Sequence, residues 1–204
     1  MRSEACAAGR LPLVRTDSDN PILMEVFGAV RRTGQQVPSL YQALGNSPEM
    51  LRAWTALAWP LRNDATTPRG IRELMILRVA QLTVAPYEWL AHWDMAVEHG
   101  VTEEQIQALS QWQQSNAFSG HERAALAAAD DLTLGLGLAD DTWSELAARF
   151  QPGEIIELIL TAAFYSCVSR VLGALQLEYD PEDLRLSHLW SSSHSPGDLA
   201  ESEK

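Results

Sequence analysis

The chain has 204 residues, enough for one domain with a substantial core. It is 46% hydrophobic and 21% charged, a soluble globular balance, with a formal net charge of -12. That acidic excess argues against nucleic acid as a partner, because phosphates need clustered Lys and Arg, and against an anionic membrane surface. The opening run MRSEACAAGRLPLVR has no apolar stretch of signal-peptide length, and no other run reads as a membrane span. The two cysteines, Cys6 and Cys167, make no CxxC. A cytoplasmic protein with free thiols is expected.

In chain order, residues 1–20 read as an N-terminal arm, and residues 21–190 as one helical domain. Ser47-Pro48 opens a helix, with Ser as N-cap and Pro in the first turn, that runs to Pro60. Thr67-Pro68 opens a second, and Pro86 a third that stops at Gly100. Thr102 to Gln105 and Ser119 to Glu122 read as capping boxes. Asp141 begins a short helix and Pro152 the longest apolar one, while Leu134 to Gly137 is a helix terminus. No segment alternates with period two, so the fold class is all-α. Helices 68–84 and 152–176 are apolar on nearly every side and should be central. The tail 191–204, SSSHSPGDLAESEK, lacks apolar content and is expected to be disordered.

A few polar groups stand out from this pattern. Glu73 lies among Leu77, Ala80 and Val84 at helical spacing, which implies burial and therefore a partner. Arg69, four residues earlier, offers a local ion pair. Glu88 and His92 are four apart on one helix face, with Tyr87, Trp89 and Trp93 around them. The rings would exclude water and strengthen the pair, or serve as ordinary core. Glu73, Glu88 and His92 also form a conceivable metal-ligand set, but the spacing is not that of a carboxylate-bridged bundle with Glu-x-x-His pairs. No nucleophile elbow or phosphate loop is present.

The run PRGIRELMILRVAQLTVAPYEWLAHWDMAVEHGVTEEQIQAL resembles the carboxymuconolactone decarboxylase-like family, which includes the alkylhydroperoxidase D proteins. TWSELAARFQPGEIIELILTAAFYSCVSRVLGALQLEYD is similar to the second half of its longer members, so the likeness covers roughly residues 35–180. The resemblance implies a helical bundle, a homo-oligomer (dimer, trimer or hexamer) and no organic cofactor. In the peroxidase branch it implies a Glu, a CxxC, and a His four residues after the second Cys. Mapped here, the Glu is Glu73 and the His is His92, but the cysteine positions are Ala85 and Glu88. Thiol peroxide reduction needs a thiolate and a resolving thiol, so that activity is not expected.

The resemblance then implies the lyase side of the family: a decarboxylase or related enzyme acting on a small, cyclic carboxylate or lactone. Loss of CO2 leaves an enolate whose charge must be stabilised and whose carbon must be protonated. His92 is the candidate acid-base, Glu88 its orienting carboxylate, and Glu73 the group behind them or a proton relay. Tyr87, Trp89, Trp93, Tyr165 and Arg170 are candidate substrate contacts. A pairing of Arg170 with Glu73 or with a neighbouring subunit is an equal alternative. Metal-assisted chemistry and a non-catalytic binding role stay open as alternatives.

Overall fold

Residues 9–135 and 137–189 are described by the computed structural model, and all regular structure among them is helical. Cys6 and the expected tail 191–204 lie outside these residues. The described residues group into two units. One runs to Asp64 and includes Leu172–Glu178; the other comprises Ala65–Val171 and the residues from Tyr179 onward.

The first unit contains α1 (Pro21–Arg32), α2 (Ser39–Leu44) and α3 (Pro48–Asn63). α1 starts because Asn20 Oδ1 accepts the Ile22 and Leu23 N–H groups at 3.0 and 3.3 Å, with Pro21 in the first turn. Its buried residues Leu23, Val26, Phe27 and Val30 repeat at helical spacing and form the face that packs on α3. Burial of each such side chain contributes roughly 1.5–3 kcal/mol. Ser47 occupies the N-cap position of α3 but makes no side-chain cap bond, contrary to expectation. The helix also continues through Pro60 to Asn63. The carbonyl that Pro60 cannot satisfy belongs to Ala56, an exposed position open to solvent.

The second unit contains α4 (Arg69–Leu82), α5 (Pro86–Glu98), α6 (Glu103–Ala108), a 3-10 turn at Leu109–Gln111, α7 (Gly120–Leu134), α8 (Asp140–Arg149), most of α9 (Pro152–Leu175) and α10 (Leu186–Leu189). Both predicted capping boxes are present, Thr102 with Gln105 and Ser119 with Glu122. α4 packs on α5 and α7, and every residue from Arg72 to Gln81 is buried. Its burial is thus central as expected, yet it takes Arg72, Glu73, Arg78 and Gln81 inside with it. Arg78 is satisfied there by Asp130 at 2.6 Å, the Gln81 side chain at 2.7 Å and the Leu109 carbonyl at 3.2 Å.

α9 departs from the expectation of burial on nearly every side. Leu158, Ala162, Tyr165 and Val168 are buried, but Ile156 is 56% exposed and Leu160, Ala163 and Cys167 continue the same exposed stripe. A helix apolar all round has no polar face to reveal which side meets solvent. By length and composition α9 is also long enough to cross a membrane, which the sequence reading did not recognise, though half of the qualifying window is buried within the protein.

Candidate active site

The site begins at the reversal between α4 and α5. The Ala85 N–H donates to the Ala80 carbonyl at 2.9 Å and Thr83 N–H to Val79 at 2.9 Å. Val84 takes φ 50°, a left-handed conformation usually left to glycine. A β-branched residue there stores strain of order 1–3 kcal/mol. Pro86 then starts α5 at a fixed place. At the far end, Gly100 takes φ 88° and ends the helix region. A side-chain carbon at Gly70 would come within 2.8 Å of the His99 carbonyl, so glycine there allows the start of α4 to lie against the end of α5.

This reversal brings four side chains into one chain of contacts. Arg69 Nε donates to Glu73 Oε1 at 2.5 Å, and its Nη2 contacts the same oxygen. Glu73 Oε2 meets His92 Nδ1 at 2.6 Å, and His92 Nε2 meets Glu88 Oε1 at 3.0 Å. Glu73 is 0% exposed, and Glu88 and His92 are each 3% exposed. Carboxylates only accept hydrogen bonds, so the imidazolium, donating from both nitrogens, is the form that satisfies both neighbours. Charge then alternates along Arg69, Glu73, His92 and Glu88, and sums to zero.

The titrations agree with that form. Burial pulls the His92 pKa down, but the charges and hydrogen bonds of Glu73 and Glu88 outweigh it and hold it above the ordinary 6.5. Burial pushes the Glu73 carboxyl up, but His92 and Arg69 together hold it below the ordinary 4.5. Arg72 is buried beside them; burial first, and then Arg69, lower its pKa from the usual guanidinium value. Its Nε donates to the Thr67 carbonyl at 3.3 Å.

The ion pair of Glu73 with Arg69 and the pair Glu88–His92 are therefore both present, joined through a Glu73–His92 contact that helical spacing alone did not show. Tyr165 is brought in from α9, its ring edge-on to His92 with centroids 4.9 Å apart. Tyr87 is half-buried on α5, next to Glu88 in the chain. Trp89 and Trp93 are core: Trp89 is fully buried and donates to the Arg185 carbonyl at 2.9 Å, and Trp93 stacks on His188 at 5.7 Å. Arg170 is exposed, and its Nη1 donates to the Ser166 carbonyl at 2.8 Å. Five residues along a helix turn about 140°, so Tyr165 and Arg170 face different ways, and Glu73 pairs with Arg69 and His92 instead of with Arg170.

A metal-ligand reading of Glu73, Glu88 and His92 does not fit this geometry. The two carboxylates sit on opposite nitrogens of one imidazole and do not converge on a single point. Among the described residues no other cluster of His, Cys, Asp and Glu has the makings of a metal site.

Of the two positions at which thiols would stand, Ala85 is a buried N-cap residue and Glu88 lies in the first turn of α5, where the helix dipole favours a negative charge. Cys167 is exposed on α9, on the side away from Tyr165. Replacing Cys6 and Cys167 together with Ser is expected to leave activity at the wild-type level. A folded but inactive double variant would instead require a thiol mechanism.

Residues 48–131, which hold Glu73, Glu88 and His92, match the carboxymuconolactone decarboxylase family. No protein of curated function matches the chain. Among solved structures, the debrominase Bmp8 is 20% identical, with 88% of this chain and 98% of that chain covered and a TM-score of 0.74. The alkylhydroperoxidase AhpD core of a peroxidase-related protein from Ralstonia eutropha JMP134 is 17% identical over 86% of this chain and 94% of its own, with a TM-score of 0.72. ATU0492 from Agrobacterium tumefaciens, a protein of unknown function, is 24% identical over 68% and 96%, with a TM-score of 0.62. Likenesses at these identities establish the fold. Residues 48–131 are thus similar to the carboxymuconolactone decarboxylase family, and the all-α fold is similar to that of the AhpD core.

Proposed function

We propose that the chain is a cofactor-independent acid-base enzyme, a decarboxylase or related lyase acting on a small cyclic carboxylate or lactone. The observation that carries this reading is the buried relay Arg69–Glu73–His92–Glu88. Both His92 nitrogens are engaged, so the roles differ from those expected from spacing alone. Glu88 is the terminal group: one oxygen meets His92, and the other is outside the relay. In decarboxylation the C–CO2 bond breaks and its electron pair passes into an enolate; the His92 imidazolium gives its Nε2 proton to the Glu88 carboxylate, which passes it to the enolate carbon. The neutral imidazole then regains a proton from solvent, and Glu73, anchored by Arg69, holds the imidazolium so restored. Tyr165, and Tyr87 on the approach to Glu88, are the candidate substrate contacts.

Two further observations support it. Neither thiol position carries sulfur, which speaks against thiol peroxide reduction. The similar fold of the debrominase Bmp8 has been solved with 2,3,4-tribromopyrrole, a small ring, so this scaffold accommodates substrates of that scale. The test is a panel of small cyclic carboxylates and lactones assayed for CO2 release and ring opening. The reading fails if no member is turned over, or if Glu88→Gln turns the active one over at the wild-type rate.

The same reading includes a cytoplasmic homo-oligomer: a dimer, trimer or hexamer of closed symmetry. Its support is the exposed apolar stripe of α9 together with Trp143, 51% exposed on α8. Light scattering at micromolar concentration is expected to give a multiple of the 22.6 kDa chain mass, and a stable monomer would refute it.

A further inference from the structure

The proton relay uses one side of α5, and a different part of the chain grips the other. A turn of about 100° per residue separates Trp89 and Trp93 from Glu88 and His92. The buried Trp89 indole donates to the Arg185 carbonyl at 2.9 Å and meets Trp93 edge-on at 5.6 Å. Trp93 stacks on His188, the ring planes inclined by 29°. Arg185 Nη1 reaches Asp94 on α5 at 3.0 Å, while its Nε and Nη2 hold Asp183 at 2.9 and 2.6 Å. Gln81 on α4 donates to the His188 carbonyl at 3.3 Å. Leu186 and Leu189 are buried in the core that Leu77, Ala80 and Trp89 share. One short segment thus holds both helices whose side chains meet as Glu73 and His92.

We propose that residues 183–189 are a brace that sets the position of α5 against α4, and that Arg185 and His188 are positioning residues for the Glu73–His92–Glu88 relay. The two contacts of His92 differ in what fixes them. His92–Glu88 lies within α5 and moves with it. Glu73–His92 bridges two helices, and its length depends on how α5 sits on α4. Loosening the brace therefore weakens the Nδ1 contact selectively and leaves the Nε2 contact in place. The consequence for turnover rests on the acid-base reading; the effect on His92 does not.

The experiment is NMR of the full-length protein with labelled histidine, His92 being assigned by comparison with His92→Gln. Arg185→Ala is measured first, because it removes only a part-exposed ion pair and should fold. Trp89→Phe combined with Arg185→Ala removes the indole donor as well. In the wild type, the Nδ1 proton held by Glu73 is expected far downfield. In the variants it is expected to weaken or move upfield, with the Nε2 signal retained and the His92 proton affinity reduced about threefold, near half a pKa unit. Arg185→Lys, which still reaches Asp94, is expected to restore much of the signal. A folded variant with lower thermal stability but unchanged His92 resonances and midpoint would overturn the proposal, leaving the segment a structural cover only. If the His92 resonances move but turnover of an identified substrate does not, the brace stands and the acid-base reading falls.

Discussion

His92→Gln is expected to lower turnover by about 10²–10⁴-fold, the range of general acid-base catalysis, and also to lower stability by about 3–5 kcal/mol. The loss of rate follows from the relay: a glutamine amide can donate a hydrogen bond, but it carries no exchangeable charge between Glu73 and Glu88. The loss of stability follows from burial. Glu73 keeps Arg69, whereas Glu88, 3% exposed, loses the ion-pair partner that the structure gives it. An isolated buried carboxylate is costly and takes up a proton in preference to staying charged. Glu88→Gln should cost less stability, since the imidazole keeps Glu73, but should lower turnover similarly because it removes the terminal proton carrier. Rates on an identified substrate, with melting curves and oligomeric state as controls, decide the matter. Near-wild-type rates for both variants would reduce the segment to a buried salt-bridge cluster.

Much of this site can be read from spacing, and the reasons for the remainder are physical. Glu88 and His92 share a face because four residues make about one turn. Glu73 is buried because its helical neighbours are apolar, and Arg69 lies one turn before it. Local periodicity reaches no further than one helix. The contact from Glu73 to His92 depends on the reversal at Thr83 to Ala85, where Val84 occupies a conformation that its residue type disfavours. Nothing in a β-branched residue signals that turn. Core packing was one of the two readings open for these rings, but that it applies to Trp89 and Trp93 was hidden for a related reason. Their partner, residues 183–189, is short and lies about 90 residues further along the chain. α1 is a different case. Asn20-Pro21 is a strong start signal that was available and went unread, and Leu23, Val26, Phe27 and Val30 supply the period. Arg170 was grouped with Tyr165 on proximity in sequence alone, which the helical angle rules out.

The second large effect is expected at Glu73. Glu73→Ala removes the anion between Arg69 and His92 and opens a cavity, and about 3–5 kcal/mol of stability should be lost. Glu73→Gln should lose about 1–3 kcal/mol, because the amide oxygen still accepts one hydrogen bond while the charge is gone. The pH dependence distinguishes an electrostatic role from simple packing. In the wild type, the His92 pKa is raised above its unfolded value of 6.5, so its contribution is complete below 6.5 and is lost as pH rises through the folded value. The Glu73 pKa is lowered beneath its unfolded value of 4.5, so its contribution is complete above 4.5 and is lost as pH falls through the folded value. The pair therefore stabilises the fold most between 4.5 and 6.5, with losses on either side. In Glu73→Gln the share of the acid limb that Glu73 contributes should vanish, leaving the shares of Asp183 and Glu157. The alkaline limb should move to lower pH, because burial of His92 is then opposed by Glu88 alone. Melting temperature measured across pH for the two proteins tests this directly. Parallel profiles, offset by a constant amount, would mean that Glu73 acts through packing, and that its charge does not govern His92.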